Sequence, residues 1–182
     1  MFMRTQRLFL RPIFEEDWPE VLSCLGDFDV VRMLANAPWP YTEELARAHC
    51  QSVLAEGEIR LAITVPGKLG APVIGNIGLR PNPSGVHQLG FWLGREWHRR
   101  GYGAEAVRGI VALADALGIP CIESGHYLEN IASGKVLRSA GFVATGELSP
   151  TRCMARNGEV LLARRYRRQL PGAATMECPV AA

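Results

Sequence analysis

The chain has 182 residues, of which 48% are apolar and 21% are charged, and its formal net charge is +2. This length suits one domain whose core is large enough to be stable without disulfides or metal ions. The composition excludes a disordered or collagen-like chain, and the small net charge excludes a strongly basic nucleic-acid binder. No run of about 18 apolar residues occurs, so no membrane-spanning helix is expected. Arg4 and Arg7 interrupt the apolar start of the chain, which argues against a secretory signal.

The five cysteines favour a reducing compartment. They stand far apart, their number is odd, and no C-x-x-C pair signals a zinc site or a redox pair. Buried, unreactive thiols are the simplest interpretation, and we expect a cytoplasmic protein. The residues are Cys24, Cys50, Cys121, Cys153 and Cys178.

The first 57 residues predict one strand and two helices. Alternating apolar and polar residues predict a strand over 5–12. A helix is predicted over 17–26, with Asp17 as its N-cap and Glu20 closing a capping box. A second helix is predicted over 42–57, with a threonine as N-cap and two glutamates in its positively polarised first turn.

From residue 60 onward the pattern predicts a β-meander, followed by helices and strands in alternation. No linker or internal repeat interrupts this pattern, so residues 1–170 are expected to form one α/β domain. The tail 171–182 is expected to be disordered. The predicted elements are strands over 60–65, 73–80 and 86–93, a helix over 104–117, a strand over 121–127, a helix over 131–140 and an antiparallel pair over 142–147 and 159–166.

The segment 89–106 carries the clearest chemical signal, with the sequence LGFWLGREWHRRGYGAEA. A strand, a loop with two glycines and the start of a long helix follow one another. Free backbone N–H groups at the positive end of a helix form a cradle for an anion, and phosphate is the expected ligand. Gly101 and Gly103 allow close approach to the backbone, and Arg99 and Arg100 add positive charge. The alternative is that the glycines only form a tight turn, since neither a nucleoside-triphosphate loop nor a dinucleotide fingerprint is present.

The order of the predicted elements resembles the GNAT superfamily of N-acetyltransferases. The loop HRRGYG resembles the family motif [QR]-x-x-G-x-[GA], which binds the pyrophosphate of coenzyme A, and the segment 130–142 resembles a second motif, N-x-x-S followed by GF. At the front, TQRLFLRP and the later WPYT resemble the RimJ/RimL branch, which acetylates ribosomal-protein N-termini. The resemblance covers residues 5–168.

This resemblance implies a fold, an activity and a set of site residues. The fold is a single GNAT-like α/β (α+β) domain with a mixed, mostly antiparallel sheet of about six or seven strands flanked by about four helices. The activity is transfer of acetyl from acetyl-CoA to an amine, with the thioester oxygen bound by a backbone N–H near 92–93, and no metal is implied. The implied coenzyme-binding residues are Trp92, Leu93, Arg99, Arg100, Gly101, Tyr102, Gly103, Ala104, Asn130 and Ser133.

Several positions depart from the family pattern. His98 stands where the motif has Gln or Arg, and Arg99 stands where many relatives have Gly, so its side chain either crowds the cradle or adds a cation. Leu137 replaces the tyrosine that serves many members as the acid for the leaving thiolate. The RimJ/RimL resemblance implies Ser133 in that role. Asn130 is an N-cap candidate in its own right, and this role is compatible with coenzyme binding.

No clear general base is found in the sequence. Relatives often carry Glu where this chain has Gln88, and an amide cannot accept the proton. An α-amino group, with a pKa of about 7.7–8.0, is partly neutral near pH 7.5, whereas a lysine at about 10.4 needs a strong base. The sequence therefore favours an α-amine or another amine of low pKa, in a peptide N-terminus or a small molecule. The weaker base candidates are His87, His126, Glu123 and Glu147.

Acceptor selection is expected in the N-terminal helices and in the segment 38–41, where Trp39 and Tyr41 either wall the amine site or pack into the core. Two other functions compete with catalysis. The departures at 88, 98, 99 and 137 are compatible with a non-catalytic acyl-CoA-binding module. The basic run 164–168 is compatible with a ribosome- or RNA-associated binder, although a solvated strand edge is the simpler interpretation. Monomer and homodimer both stay open.

Overall fold

Eight strands and five α-helices make up the part of the chain that the structure, a computed structural model, describes: residues 1–67 and 70–171. The helices are α1 (Trp18–Leu25), α2 (Phe28–Val31), α3 (Glu43–Gln51), α4 (Tyr102–Ala116) and α5 (Ile131–Ser139). The strands are β1 (Met3–Arg4), β2 (Phe9–Pro12), β3 (Ile59–Thr64), β4 (Val73–Pro81), β5 (His87–Leu93), β6 (Cys121–Tyr127), β7 (Val143–Cys153) and β8 (Glu159–Gln169).

All eight strands belong to one sheet, in the order β1-β2-β3-β4-β5-β6-β8-β7. Every neighbouring pair is antiparallel except β5 and β6, which are parallel. The predicted mixed, mostly antiparallel sheet is confirmed, with eight strands in place of six or seven. The parallel pair meets only at His87 with Ile122 and at Gln88 with Glu123. Beyond these residues β5 and β6 separate, and we call the resulting opening the gap.

The strand predicted over 5–12 is wrong at its first half. Residues Thr5 to Leu8 form a turn, in which the Thr5 amide donates to the Leu8 carbonyl at 3.0 Å and the Leu8 amide donates to the Thr5 hydroxyl at 3.1 Å. This turn separates β1, which lies before the predicted strand, from β2, and the two strands pair with each other. A local side-chain-to-backbone hydrogen bond thus outweighs the strand pattern.

The two predicted N-terminal helices are present, but their boundaries and caps differ. Helix α1 starts after Asp17 without the predicted capping box, because the Asp17 carboxylate accepts hydrogen bonds from the Arg11 guanidinium and the Phe14 amide, each at 2.7 Å. Thr42 caps α3 as predicted, accepting from the Leu45 amide at 3.4 Å. Helix α3 ends at Gln51 instead of near residue 57, and the short α2 was not predicted.

The C-terminal half follows the prediction more closely. Strand β6 has the predicted bounds, and α4 begins two residues before the predicted start at residue 104. Strands β7 and β8 extend several residues beyond the predicted pair and form a long hairpin. The tail 171–182 lies outside the described residues from residue 172 onward.

Two apolar clusters lie on opposite faces of the sheet. Helices α4 and α5 cover one face with Val107, Ile110 and Leu137, which pack on Ile77 and Ile122. Helices α1, α2 and α3 cover part of the other face. There Val21, Val31 and Ala46 belong to the same cluster as Tyr127 and Ala163, with Trp92 packed against it. We call these the α4–α5 face and the α1–α3 face. No helix in the described part of the chain is long and apolar enough to cross a membrane.

Candidate active site

The backbone of β5 opens into the gap between β5 and β6. The amide of Gly94, directly after β5, donates to the carbonyl of Ile74 in β4 at 2.9 Å, and this bond shows which residues of β5 hydrogen-bond to β4. In this pattern the N–H and C=O groups of Leu89, Phe91 and Leu93 point away from β4. The Leu89 carbonyl accepts from the Ser124 hydroxyl of β6 at 3.1 Å, which is the last link across the gap. Within the described residues, no strand pairs with this side of the Phe91 and Leu93 backbone beyond it.

This pattern corrects one part of the predicted site. The amide of Trp92 lies in the ladder opposite Asn76 of β4, so it is not free to bind a thioester oxygen. Of the predicted pair 92–93, only Leu93 points its backbone into the gap, and the residue that the sequence reasoning missed is Phe91. Trp92 instead packs its ring against the apolar cluster on the α1–α3 face, and Phe91 packs on the α4–α5 face.

The loop before α4 has the geometry of an anion cradle. Arg99 and Gly101 adopt left-handed backbone conformations, with φ of 61° and 79°, and Gly101 is the N-cap of α4. The amides of residues 101–104 donate to no acceptor in the described part of the chain, and the first intrahelical bond runs from the Glu105 amide to the Gly101 carbonyl at 3.1 Å. These free N–H groups lie at the positive end of a helix of 15 residues.

The side chains beside this loop have defined places. Arg99 and Arg100 are exposed, and the Arg100 guanidinium lies over the Trp97 ring at 5.3 Å. The His98 ring nitrogen Nε2 lies 2.9 Å from the Leu93 carbonyl oxygen and so ties the loop to the end of β5. Gly103 is buried, and a Cβ there would lie 3.5 Å from Leu93 and 3.6 Å from Val136. The residues predicted at this loop therefore meet the end of β5 and helix α5.

A buried carboxylate anchors this loop to the N-terminal segment. Glu105 accepts hydrogen bonds from the Thr5 hydroxyl at 2.6 Å and from the Arg7 amide and Arg7 Nε at 2.7 Å. Arg7 Nη1 also donates to the Arg100 carbonyl at 3.0 Å. Burial acts to raise the pKa of Glu105, but the hydrogen bonds from Thr5 and Arg7 outweigh it and lower that pKa. Sequence reasoning missed Arg7 and Glu105 as partners, because they stand 98 residues apart.

Helix α5 presents the second predicted motif beside the gap. The Asn130 side chain accepts from the Ser133 amide at 3.1 Å, so its N-cap role is confirmed. The Ser133 hydroxyl makes no hydrogen bond within the described ranges and is free for another partner. Leu137 is fully buried in the apolar cluster of the α4–α5 face. Leu137 is therefore a core residue, and its side chain does not point into the gap.

The histidine candidates for a general base are not placed for that task. His126 Nδ1 lies 2.8 Å from the Tyr127 carbonyl oxygen, so Nδ1–H donates to that oxygen. Nε2 lies 3.4 Å from the Tyr166 hydroxyl, and only 2.5 Å from the place of a Cβ on Gly134. The other ring nitrogen thus faces helix α5. His87 lies where β5 and β6 are still paired.

The carboxylate candidates for a general base are bound by an arginine or lie far from the gap. Arg167 binds the Glu123 carboxylate through Nη2 at 2.6 Å and Nε at 3.1 Å. Glu147 is exposed on β7, away from the gap. With its amide oxygen turned toward Arg165, Gln88 accepts from that guanidinium at 2.5 and 3.2 Å. None of these groups offers a free carboxylate at the gap.

The two aromatic residues of segment 38–41 have different roles. Tyr41 packs against the apolar cluster of the α1–α3 face, and burial raises its pKa to about 12. Trp39 is 40% exposed and meets Phe28 edge to face, with ring centroids 5.2 Å apart. Phe28 and Trp39 line an open cavity of about 670 Å³ together with Ala155, Arg156 and Asn157. Tyr41 is therefore a packing residue, and Trp39 is a partly exposed residue beside this cavity.

The basic run 164–168 does not form one patch. Its members alternate between the two faces of β8. Arg167 pairs with Glu123, Arg168 donates to the Ala140 carbonyl, and Arg138 donates to the Tyr166 hydroxyl at 2.9 Å. The basic side chains of this run are therefore divided between the two faces of the sheet, and part of them are bound within the fold.

Comparison with known protein families identifies an acetyltransferase domain in this chain. The family model described as an acetyltransferase (GNAT) domain matches residues 7–143. Among curated proteins, no sequence is significantly similar to this chain.

Solved structures share the fold over almost the whole chain. A GNAT-family acetyltransferase from Bacillus anthracis is 20% identical with a TM-score of 0.80, covering 93% of this chain and 98% of that one. The Salmonella typhimurium acetyl transferase that modifies the N-terminal serine of ribosomal protein L7/L12 is 19% identical with a TM-score of 0.75, covering 93% and 99%. The microcin C7 self-immunity acetyltransferase MccE, solved with acetyl-CoA and AMP, is 14% identical with a TM-score of 0.74, covering 91% and 93%.

Proposed function

The chain belongs to the GNAT acetyltransferase family, and on that premise we propose that it transfers acetyl from acetyl-CoA to the nitrogen of an acceptor amine. The observation that carries this proposal is the meeting of two features: the free amides of residues 101–104 and the unpaired backbone of β5 at the gap. The first suits a diphosphate, and the second suits the amide groups of a pantetheine arm.

Each part of the coenzyme has candidate partners in this chain. The pyrophosphate would accept hydrogen bonds from the amides of 101–104, and Arg99 and Arg100 would supply positive charge at the rim. The pantetheine would lie in the gap along β5. The thioester oxygen would accept from the amide of Phe91 or Leu93, which stabilises the negative charge that develops on that oxygen during the reaction.

The reaction proceeds by direct attack of the neutral amine on the thioester carbon. The nitrogen forms a bond to the acetyl carbon, the carbon–sulfur bond breaks, and the coenzyme leaves as a thiolate. The Ser133 hydroxyl is our candidate donor of a proton to that thiolate, because it lies in the first turn of α5 and has no other partner in the described ranges. The nitrogen loses its proton to solvent or to a water chain, and Ser133 regains a proton from the same water.

The acceptor is an amine of low pKa, and a protein or peptide N-terminus is the class that we propose. Neither candidate carboxylate is free at the gap, since Glu123 is bound by Arg167 and Glu147 lies on β7, so an acceptor that needs no strong base is favoured. At neutral pH, neutralising an α-amine costs about 3.5 kcal/mol less than neutralising a lysine, because their pKa values are about 7.8 and 10.4. The likeness to the RimJ/RimL branch supports the same class.

A direct assay tests this function. The purified chain is incubated with acetyl-CoA and either a peptide with a free N-terminus or spermidine, and thiol release and acetylated product are measured. We expect turnover with the peptide and little with spermidine. A clear preference for spermidine contradicts the acceptor class. Coenzyme binding by calorimetry without product from any amine favours the non-catalytic acyl-CoA-binding module.

A cytoplasmic location and the choice between monomer and homodimer stay predictions. Cys24, Cys50 and Cys153 are free and buried, and burial raises the pKa of Cys24 to about 12.

A further inference from the structure

The α1–α3 face of the sheet, which lies opposite to the proposed coenzyme site, is open at the gap. Residues of β5 and β6 that share a face with Trp92 and Tyr127 point toward the α1–α3 side. Two positions past the last paired residues, these strands carry Gly90 and Gly125. A Cβ on Gly90 would meet no heavy atom within 4 Å, and Gly90 is exposed. An acceptor amine that approaches the thioester from this side passes over a floor without side chains.

One guanidinium lies across this floor. Arg165 is paired with Gly125 in the β6–β8 ladder, so both residues present their side-chain positions to the α1–α3 side. A Cβ on Gly125 would lie 3.1 Å from Arg165 Nη1 and 3.5 Å from its Cδ. The absence of a side chain at Gly125 thus allows Arg165 to lie close over β6 and to reach Gln88 on β5.

The charge of Arg165 is not balanced by the residues around it. Its hydrogen-bond partner is the neutral Gln88 amide, and no carboxylate lies within 4 Å of its guanidinium in the described part of the chain. The nearest acidic residue along β6, Glu123, is bound by Arg167 at 2.6 Å. Arg165 therefore keeps N–H donors and a full positive charge for a ligand.

We propose that Arg165 forms an acceptor subsite that binds a carboxylate close to the reacting amine. This proposal rests on the proposed function and specifies the substrate class of that same site. A guanidinium binds a carboxylate through two parallel hydrogen bonds, which fixes orientation as well as charge. The carboxylate comes either from an acidic residue next to a peptide N-terminus or from the α-carboxylate of a free amino acid.

Matched acceptors distinguish these two sources. Initial rates are measured with acetyl-CoA for the capped peptides Ala-Asp-Ala-amide and Ala-Asn-Ala-amide, and for alanine and alaninamide. We expect kcat/KM for at least one charged member to exceed that of its neutral match by about tenfold. The pair that shows the preference identifies the source of the carboxylate.

Variants then assign the preference to Arg165. Arg165→Gln is expected to bring the ratio of charged to neutral acceptor close to one, and Arg165→Lys to keep part of it. Arg164→Gln is the control, because Arg164 is the next residue of β8, lies on the opposite face and has no ion pair in the described ranges. It is expected to leave the ratio unchanged. Thermal unfolding of each variant checks that the fold is intact.

The outcomes separate this inference from the proposed function. If amines are acetylated but the neutral acceptors match or exceed the charged ones, the subsite is refuted and the transferase stands. If Arg164→Gln changes the ratio as much as Arg165→Gln does, or if Arg165→Gln leaves the ratio intact, the assignment to Arg165 is refuted. If no amine is acetylated at all, the proposed function fails and the subsite fails with it.

Discussion

The two sides of the gap are built in different ways. The side proposed for the coenzyme consists of two runs of consecutive residues, 98–104 before α4 and 130–133 at the start of α5. Most of its proposed contacts with the coenzyme are hydrogen bonds from backbone amides. The side proposed for the acceptor combines Gln88, Gly90, Gly125 and Arg165 from three strands. A site made of backbone groups can be predicted from the spacing of residues close together in the sequence. A site made of side chains from several strands depends on which strands become neighbours in the sheet. Four predictions test this contrast, in decreasing order of their expected effect on activity.

The largest effect is expected at the chemical step. Ser133→Ala removes the proposed proton donor and should lower kcat about 100-fold, because general acid catalysis contributes about that much or more. The KM for acetyl-CoA should change little. Steady-state kinetics with a peptide acceptor measure both quantities. Ser139→Ala is the control, since Ser139 is on the same helix but its hydroxyl donates to the Val136 carbonyl. Equal kcat values for Ser133→Ala and the unchanged chain would exclude Ser133 as the acid.

The next effect concerns coenzyme affinity. Gly101→Ala places a Cβ at a φ of 79° and 3.2 Å from Arg7 Nη2, and the left-handed conformation alone costs about 1–2 kcal/mol. We expect coenzyme A to bind about 30-fold more weakly in calorimetry. Gly85→Ala is a matched control, because its φ is 81° but its Cβ would meet nothing within 4 Å. If both variants bind equally well, the cradle is not at Gly101.

A smaller effect is expected on the acceptor side. Gly90→Val puts a branched side chain on the open floor and should lower kcat/KM for the acceptor about tenfold through steric obstruction. Coenzyme affinity should stay within a factor of two. The melting temperature should not fall, because valine is favoured over glycine in a strand and has room here. A variant with unchanged acceptor kinetics would show that the amine does not cross this face.

The smallest effect on turnover is expected from the anchor of the loop. Glu105→Gln leaves Arg7 without its carboxylate and should reduce the free energy of unfolding at pH 7 by about 1–3 kcal/mol. Because the pKa of Glu105 is lowered in the folded chain, its carboxylate stabilises the fold above the pKa of an unfolded glutamate. This stability is lost as the pH falls through the lower, folded value.

Urea unfolding at several pH values measures this difference. The difference in free energy of unfolding between the unchanged chain and Glu105→Gln should be largest near neutral pH and should become smaller below about pH 4. Glu56→Gln is the control, because it changes an exposed glutamate with no ion pair in the described ranges, and its stability should not differ from that of the unchanged chain in this way. A difference that does not depend on pH would indicate that the carboxylate charge is not what stabilises the loop.

The sequence by itself determined the elements whose signals are local. The pattern of apolar residues located β3 to β6 and α4, the Asn130 cap followed from residue type alone, and the loop 98–104 was found from its glycines and the helix after it. Local backbone geometry depends on neighbouring residues, so spacing is sufficient to predict it.

Only the tertiary structure decided which distant groups meet. The pairing of Arg7 with Glu105, the turn of the Phe91 backbone rather than the Trp92 backbone toward the gap, and the position of Arg165 over Gly125 all follow from contacts between distant segments. A shift of one residue in the β4–β5 register would turn the other set of amides to the gap. That register is set by packing between segments far apart in the chain, and no local spacing encodes it.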